Sequence, residues 1–140
     1  MSDTTSTRTG SCQCGSVKYT VPREPKLAAR CHCQMCQKST GSGAMVTAIY
    51  AADDLKLTGA TRTYTYTADS GNPVTMTFCP NCASTIHMTS PKFAGLVLVR
   101  AGTLDDSTGI APQFAVFAKR RPAWDHAFEG IPQFPEMPPG

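Results

Sequence analysis

The sequence has no apolar run approaching the ~18 residues that a membrane-crossing helix needs, and its opening residues, Met1-Ser2-Asp3-Thr4-Thr5-Ser6-Thr7, have no apolar stretch behind them. The expectation is a soluble, cytoplasmic protein with no membrane partner and no conventional export signal. A strong charge of one sign is also missing. The 13 basic and 10 acidic residues leave a formal net charge of +3, and apart from Lys119, Arg120 and Arg121 the basic side chains are scattered. That pattern lacks the basic stripe of a nucleic-acid binder, so no nucleic-acid partner is expected, while a small anionic molecule would suit the charge. Helical periodicity is scarce, and 11 Gly and 11 Pro promise many turns. No internal repeat is present.

What the sequence does have is short stretches of strand character. Residues 16–21 alternate polar and apolar, residues 44–50 form an apolar, partly β-branched run, and residues 62–67 alternate Tyr with Thr. Ala68-Asp69-Ser70-Gly71-Asn72-Pro73 is turn chemistry joining residues 62–67 to 74–78 as a hairpin. Residues 84–89, 96–101 and 114–118 continue the pattern, each bounded by Gly, Pro or Asp, and one or two turns of helix are expected at residues 34–39. The fold class this predicts is all-β, with seven or eight mainly antiparallel short strands in a sandwich or folded-over sheet and little helix. The 140 residues fit one domain, expected over residues 10–131 between a disordered tail at 1–9 and a Pro-rich tail at 132–140.

Seven cysteines are an odd number, and they fall in tight groups: Cys12-Gln13-Cys14-Gly15, then Cys31-His32-Cys33-Gln34-Met35-Cys36, then Cys79-Pro80-Asn81-Cys82. Metal binding explains this better than disulfides. Two close pairs from distant strands make one four-thiolate site, which joins Cys12 and Cys14 to Cys79 and Cys82 and would be a closed, structural zinc site. Cys31, Cys33 and Cys36 would hold a second ion by three thiolates, and three protein ligands are how catalytic zinc is built. The other readings of this trio are free thiols, a redox pair, or a site completed by His32, His87 or His126. His32 is squeezed between two of the cysteines and is expected to point away from an ion they share.

Together these motifs resemble the family of glutathione-dependent formaldehyde-activating enzymes, the CENP-V/GFA family of the Mss4-like fold. The likeness covers residues 10–135. It rests on Gly10-Ser11-Cys12-Gln13-Cys14-Gly15-Ser16-Val17, on Cys31-His32-Cys33-Gln34-Met35-Cys36-Gln37-Lys38, on Phe78-Cys79-Pro80-Asn81-Cys82, on Gly102-Thr103-Leu104-Asp105-Asp106, and on residues 119–134 with Trp124 and Ile131-Pro132-Gln133-Phe134. The resemblance implies antiparallel sheets, a structural zinc on Cys12, Cys14, Cys79 and Cys82, and a labile, catalytic zinc on Cys31, Cys33 and Cys36, hence two Zn2+ per chain. It also implies an activity joining formaldehyde to the glutathione thiol, formally a carbon–sulfur lyase read in reverse. Ala83 stands where relatives usually carry Gly after the second C-x-x-C, and Phe114 or Ala115 where they commonly carry His.

The expected function is thus a zinc-dependent, carbon–sulfur lyase-type enzyme with a small-molecule substrate, either S-hydroxymethylglutathione or a related thiol adduct. The alternatives are a zinc-dependent dehydratase, lyase or isomerase that does not use glutathione, and a non-catalytic zinc scaffold; a homo-oligomer is compatible with each. His87 is the favoured proton donor of the three histidines, although an ordinary strand histidine is the plainer reading. Trp124 reads as a packing anchor, Asp105 and Asp106 as turn caps, and residues 119–121 as a solvated charge run with a secondary role of holding a substrate carboxylate.

Overall fold

The structure, a computed structural model, describes residues 7–127 and 129–139. Two sheets account for the ten strands among them. The smaller has the order β1 (Thr7–Ser11), β2 (Lys18–Pro22), β5 (Lys56–Thr58). The larger has the order β10 (Ala115–Val116), β3 (Leu27–Cys31), β4 (Met45–Ala51), β9 (Leu96–Arg100), β8 (Thr85–Thr89), β7 (Pro73–Phe78), β6 (Arg62–Thr67). Every pairing is antiparallel except that of β10 with β3. One α-helix, α1 (Gln34–Thr40), follows β3. The all-β expectation holds, and no helix of the described residues is long and apolar enough to cross a membrane.

The larger sheet has two different faces because side chains alternate along each strand. Ala48, Tyr50, Val97 and Val99 point to one side and pack with Val17, Tyr19 and Val21 of the smaller sheet to make the main core. Met45, Met88 and Leu98 point to the other side, where Cys33, Cys36, Val116 and Phe117 meet them in a second cluster. The hairpin expected at residues 62–78 forms with Thr67 opposite Pro73, and its turn is closed by Ala68 N–H to Asn72 O at 2.8 Å.

Three strands had little signal. In β1 the inward positions are Arg8 and Gly10 rather than hydrophobic residues. Arg8 is 4% exposed and donates to the carbonyls of Arg23 (2.7 Å) and Asp106 (2.8 Å). Gly10 is required by packing, since a Cβ there would lie 2.3 Å from the Tyr19 ring. β3 is Leu-Ala-Ala-Arg-Cys, a poor strand former by composition that is held between β4 and β10. β5 has only three residues.

Both tail expectations need adjustment. Residues 1–6 lie outside the described residues, but residues 7–9 are strand and not tail. Residues 132–136 run beside β10: Ala115 N–H donates to Pro132 O at 2.9 Å, Phe134 N–H to Ala115 O at 2.8 Å, and Phe117 N–H to Glu136 O at 3.0 Å. Burial of Phe134 against Phe114, with ring centroids 5.9 Å apart, and of Met137 in the second cluster gives this segment its reason to dock.

Candidate metal centres and active site

Cys12 and Cys14 sit in the turn after β1, and Cys79 and Cys82 in the turn after β7. The first turn closes through Gly15 N–H to Cys12 O (3.1 Å) and the second through Ala83 N–H to Cys79 O (2.8 Å). Gly15 has φ +84°, and Ala83 takes a left-handed φ of +67° without the freedom of glycine. All four Sγ atoms lie within 4.8 Å of one another, with Cys12 to Cys14 at 3.6 Å and Cys14 to Cys79 at 3.8 Å. Four sulfurs at about 2.3 Å from one tetrahedral ion would be roughly 3.8 Å apart, so the donor set fits.

Hydrogen-bond donors surround the sulfurs. Val17 N–H points at Cys12 Sγ (3.3 Å), and the N–H groups of Asn81 (3.3 Å) and Cys82 (3.4 Å) point at Cys79 Sγ. Ser16 Oγ lies 3.2 Å from Cys14 Sγ and 3.3 Å from Cys79 Sγ, while Ser84 Oγ lies 3.2 Å from Cys82 Sγ. The Ser16 hydroxyl draws the Cys14 thiol down to about 7, and the Ser84 hydroxyl draws Cys82 down to about 5.

The second group lies on the opposite face of the larger sheet. Cys31 ends β3, Cys33 is the N-cap of α1 with its sulfur accepting from Cys36 N–H at 3.3 Å, and Cys36 lies in the first turn of the helix. The three sulfurs are again within 4.8 Å of one another, with Cys33 and Cys36 3.1 Å apart. Shared hydrogen bonds from Cys31 and then Cys36 pull Cys33 well below the ordinary thiol range. The contact with Cys33 pushes Cys31 up to about 12, and the contacts with Cys31 and Cys33 raise Cys36. All seven cysteines are unpaired, and both clusters can hold a metal ion. No histidine among the described residues joins either cluster.

Beside the trio opens a cavity of about 150 Å3, with Cys31, Cys33 and Cys36 in its wall alongside Met45, Ile49, Met88, Leu98, Phe114 and Phe117. Tyr66 also lines it, and burial followed by the nearby Cys36 and Cys33 raises its pKa, so the hydroxyl keeps its proton.

Two functional neighbours had no motif to announce them. Arg100, the last residue of β9, is 9% exposed; its Nη2 donates to Ser39 Oγ at 3.0 Å and lies 3.6 and 3.8 Å from the sulfurs of Met76 and Met88. No carboxylate among the described residues pairs with it, and Cys36, Tyr66 and Cys33 partly offset the lowering of its pKa by burial. Its only sequence signal is a cation closing the apolar run Leu-Val-Leu-Val-Arg. Asp125 accepts from Arg30 Nη2 at 3.1 and 2.9 Å and lies 3.6 Å from His32 Nδ1. His32 is fully buried with Nδ1 2.8 Å from Gly43 O, pointing away from the cysteines as expected. Gly43 makes the room, since a Cβ there would lie 2.5 Å from Asp125 Cβ.

Other expectations change. His87 is opposite Val99 in the sheet, on the main-core face, whereas Met88 opposite Leu98 faces the cavity, so His87 is not placed to donate a proton there. Trp124 is 69% exposed and not a packing anchor; Asp125, in the turn closed by Asp125 N–H to Pro122 O, is the residue whose side chain is anchored. Asp106 caps a turn, accepting from Thr108 N–H (2.9 Å), whereas Asp105 accepts from Thr9 Oγ1 (2.7 Å) of β1, a long-range contact and not a turn cap. Lys119 pairs with Glu136, Arg120 with Asp69 at 3.1 Å, and Arg121 donates to Asp125 O.

Fold and sites together define a small all-β protein with two cysteine clusters that can hold a metal ion, one of them bordering a cavity. A profile of the family described as "Glutathione-dependent formaldehyde-activating enzyme" matches residues 7–120, and the chain belongs to that family. It is 30% identical over 137 residues to a Halomonas elongata protein named "Putative glutathione-dependent formaldehyde-activating enzyme", covering 88% of this chain and 87% of that one. A crystal structure of a Rhodobacter sphaeroides protein shares the fold, with a TM-score of 0.54 at 20% identity over 89% of this chain and 98% of the other.

Proposed function

We propose that this protein is a cytoplasmic, zinc-dependent enzyme that makes and breaks carbon–sulfur bonds in adducts of a thiol with an aldehyde, such as S-hydroxymethylglutathione or a related small molecule. Cys31, Cys33 and Cys36 form its reacting centre, and Cys12, Cys14, Cys79 and Cys82 a structural zinc site. The observation that carries this is the difference between the clusters: one has four sulfurs packed beside the main core, the other has three sulfurs in the wall of a cavity. Four protein donors are the structural pattern and three the catalytic one.

In the forward direction the sulfur of the thiol bonds to the carbonyl carbon and the thiol proton passes to the carbonyl oxygen; in reverse the same bond breaks and the proton returns. Zinc would supply Lewis-acid polarisation and favour a thiolate near neutral pH. The chain's own residues do the rest. The apolar wall excludes water from the adduct, the Tyr66 hydroxyl can donate to a carbonyl oxygen, and the Arg100 guanidinium, outside the cavity wall but within electrostatic reach of Cys36 and Cys33, offsets negative charge gathered on the trio. The family and the name of the Halomonas relative support glutathione as the thiol.

The test combines metal counting with adduct exchange. On protein purified without chelator, elemental analysis should give two zincs per chain, falling to one after mild chelation with the fold retained. The protein should also speed exchange between 13C-formaldehyde and its glutathione adduct, followed by NMR. A metal count unmoved by chelation together with no rate effect would overturn the enzyme reading in favour of a zinc scaffold.

A further inference from the structure

The reaction proposed above leaves open what lies next to the reacting sulfur, and the cavity wall speaks to that. Its inner surface is made by Met45, Ile49 and Leu98 from the sheet, by Met88, and by Phe114 and Phe117 from the segment around β10. The Phe117 backbone is held in the left-handed region at φ +52°, a conformation that a bulky residue adopts only when its surroundings fix it. Met137, from the docked C-terminal segment, closes the same wall. Of all the side chains lining the space, Lys92 alone carries a charge apart from any on the cysteines, and it is an exposed residue at the rim.

We infer that this cavity takes an uncharged hydrocarbon group of about the size of a benzene ring, so that the substrate is a small aromatic or branched aliphatic thiol, or the aldehyde adduct of one. The inference rests on the proposed carbon–sulfur chemistry for the identity of the sulfur, but on the cavity alone for the apolar group. Size and lining agree. A space of about 150 Å3 walled by Leu, Ile and Phe side chains is enough for a benzene-sized guest. Burial of such a group removes apolar surface from water on both sides of the contact, and the mobile thioethers of Met45, Met88 and Met137 can adjust to its outline. Glutathione fits less well on both counts. Any of its two carboxylates and its ammonium group that entered the cavity would leave water for a wall whose polar side chains, Tyr66, Asn72 and a few Thr and Ser hydroxyls, are uncharged apart from one exposed lysine, and desolvated charges without charged partners are strongly disfavoured. The sulfur of an apolar thiol, by contrast, would have Cys31, Cys33 and Cys36 beside it in that same wall.

The experiment is isothermal titration calorimetry on the full chain purified with its metal. The probes are benzyl mercaptan, 2-mercaptoethanesulfonate, glutathione and toluene. Benzyl mercaptan should bind at least tenfold more tightly than either charged thiol, and toluene, which has no sulfur, should bind on its own and weaken benzyl mercaptan by competition. The Ala29→Leu variant pushes a larger side chain into the cavity wall from β3. It should cost benzyl mercaptan and toluene at least tenfold in affinity while the zinc count stays as in the wild type. If that variant does not fold, Ile49→Phe fills the same space from β4 and carries the same expectation.

Equal affinity for benzyl mercaptan and 2-mercaptoethanesulfonate, tightest binding of glutathione, or failure of toluene to bind would each overturn the inference. The two readings fail separately. Toluene and benzyl mercaptan binding with no acceleration of formaldehyde exchange into either the glutathione or the benzyl mercaptan adduct would remove the carbon–sulfur chemistry and keep the apolar ligand. Exchange of the formaldehyde adduct with no toluene binding would do the reverse.

Discussion

Arg100 donates from Nη2 to Ser39 Oγ at 3.0 Å, which ties the end of β9 to the back of the helix that carries Cys36. A guanidinium this buried needs an anionic neighbour, and no carboxylate among the described residues supplies one. The cysteine trio is the candidate, since Cys36 and Cys33 already favour the charged guanidinium, and under the proposed function a zinc ion held by three thiolates would carry a formal charge of about −1. Arg100→Met keeps the length of the side chain and removes the charge. The folded domain should persist, while zinc affinity at the three-cysteine site falls by roughly 10- to 100-fold, the range seen when groups supporting metal ligands are lost. Titration against a competing chelator measures this, with Arg100→Lys expected in between. An unchanged affinity would reduce Arg100 to a packing role.

Ala83 pays a backbone cost where the turn after Cys82 reverses, since its φ of +67° crowds a Cβ that glycine lacks. Ala83→Gly should therefore stabilise the metal-loaded protein by about 0.5–1 kcal/mol, a rise of a few degrees in thermal midpoint for a domain of this size. Ala83→Val should shift the midpoint the other way. Scanning calorimetry at a fixed zinc concentration checks both, and a lower midpoint for the glycine variant would refute the strain.

The ease of reading this sequence varied with how local the cause was. Cysteine spacing, the Tyr/Thr hairpin and the short helix at Gln34–Thr40 are local patterns, and each sits where its residues predict. β1 was unreadable because Arg8 and Gly10 occupy inward positions for reasons 9 to 98 residues away, namely the ring of Tyr19 and the carbonyls of Arg23 and Asp106. Asp125 is important through Arg30, a partner at a separation of 95 residues, and nothing in its own neighbourhood says so. His87 looked useful because of its residue type, but pairing with Val99 decided which face it serves.

The Asp125 contact has a measurable consequence. Asp125→Ala would leave Arg30 without its carboxylate and open a gap beside Gly43, both next to the segment that carries Cys31 and Cys33. Loss of a partly buried, two-bonded pair should cost about 1–3 kcal/mol in denaturant unfolding. Gly43→Ala forces the same contact apart from the other side and should destabilise comparably, and a variant carrying both changes should cost less than the sum of the two. Additive effects would show that the two residues do not share one contact.

His87 makes a pH-dependent prediction. Burial lowers its pKa below the ordinary 6.5, and its Nδ1 is buried without a partner. As pH falls through 6.5 the unfolded chain takes up this proton while the folded chain does not, so the unfolded state binds more protons and stability drops. Above 6.5 the two states agree and the penalty is absent. His87→Gln removes the titration, so the difference in unfolding free energy between wild type and variant should be flat above neutrality and should shift in the variant's favour as pH falls to 5.5. Cysteine and metal effects are common to both proteins and cancel in that difference. A difference independent of pH would mean that His87 titrates alike in both states.

Removing one sulfur from each cluster separates their roles. Cys79→Ser takes a ligand from a site that links the turn after β1 to the turn after β7, and structural metal contributes folding energy directly. The variant should lose most of its cooperative thermal transition and become sensitive to protease. Cys36→Ser breaks only the trio, whose ligands come from one six-residue stretch, so the sheets have no need of that ion to stay together. One zinc per chain and a near-wild-type midpoint are expected there. Adduct exchange should nevertheless be lost, because the sulfur missing from the cavity wall belongs to the proposed reacting centre. Loss of both metals in Cys36→Ser, or an unaltered midpoint in Cys79→Ser, would mean that the clusters do not divide into a structural and a reactive site.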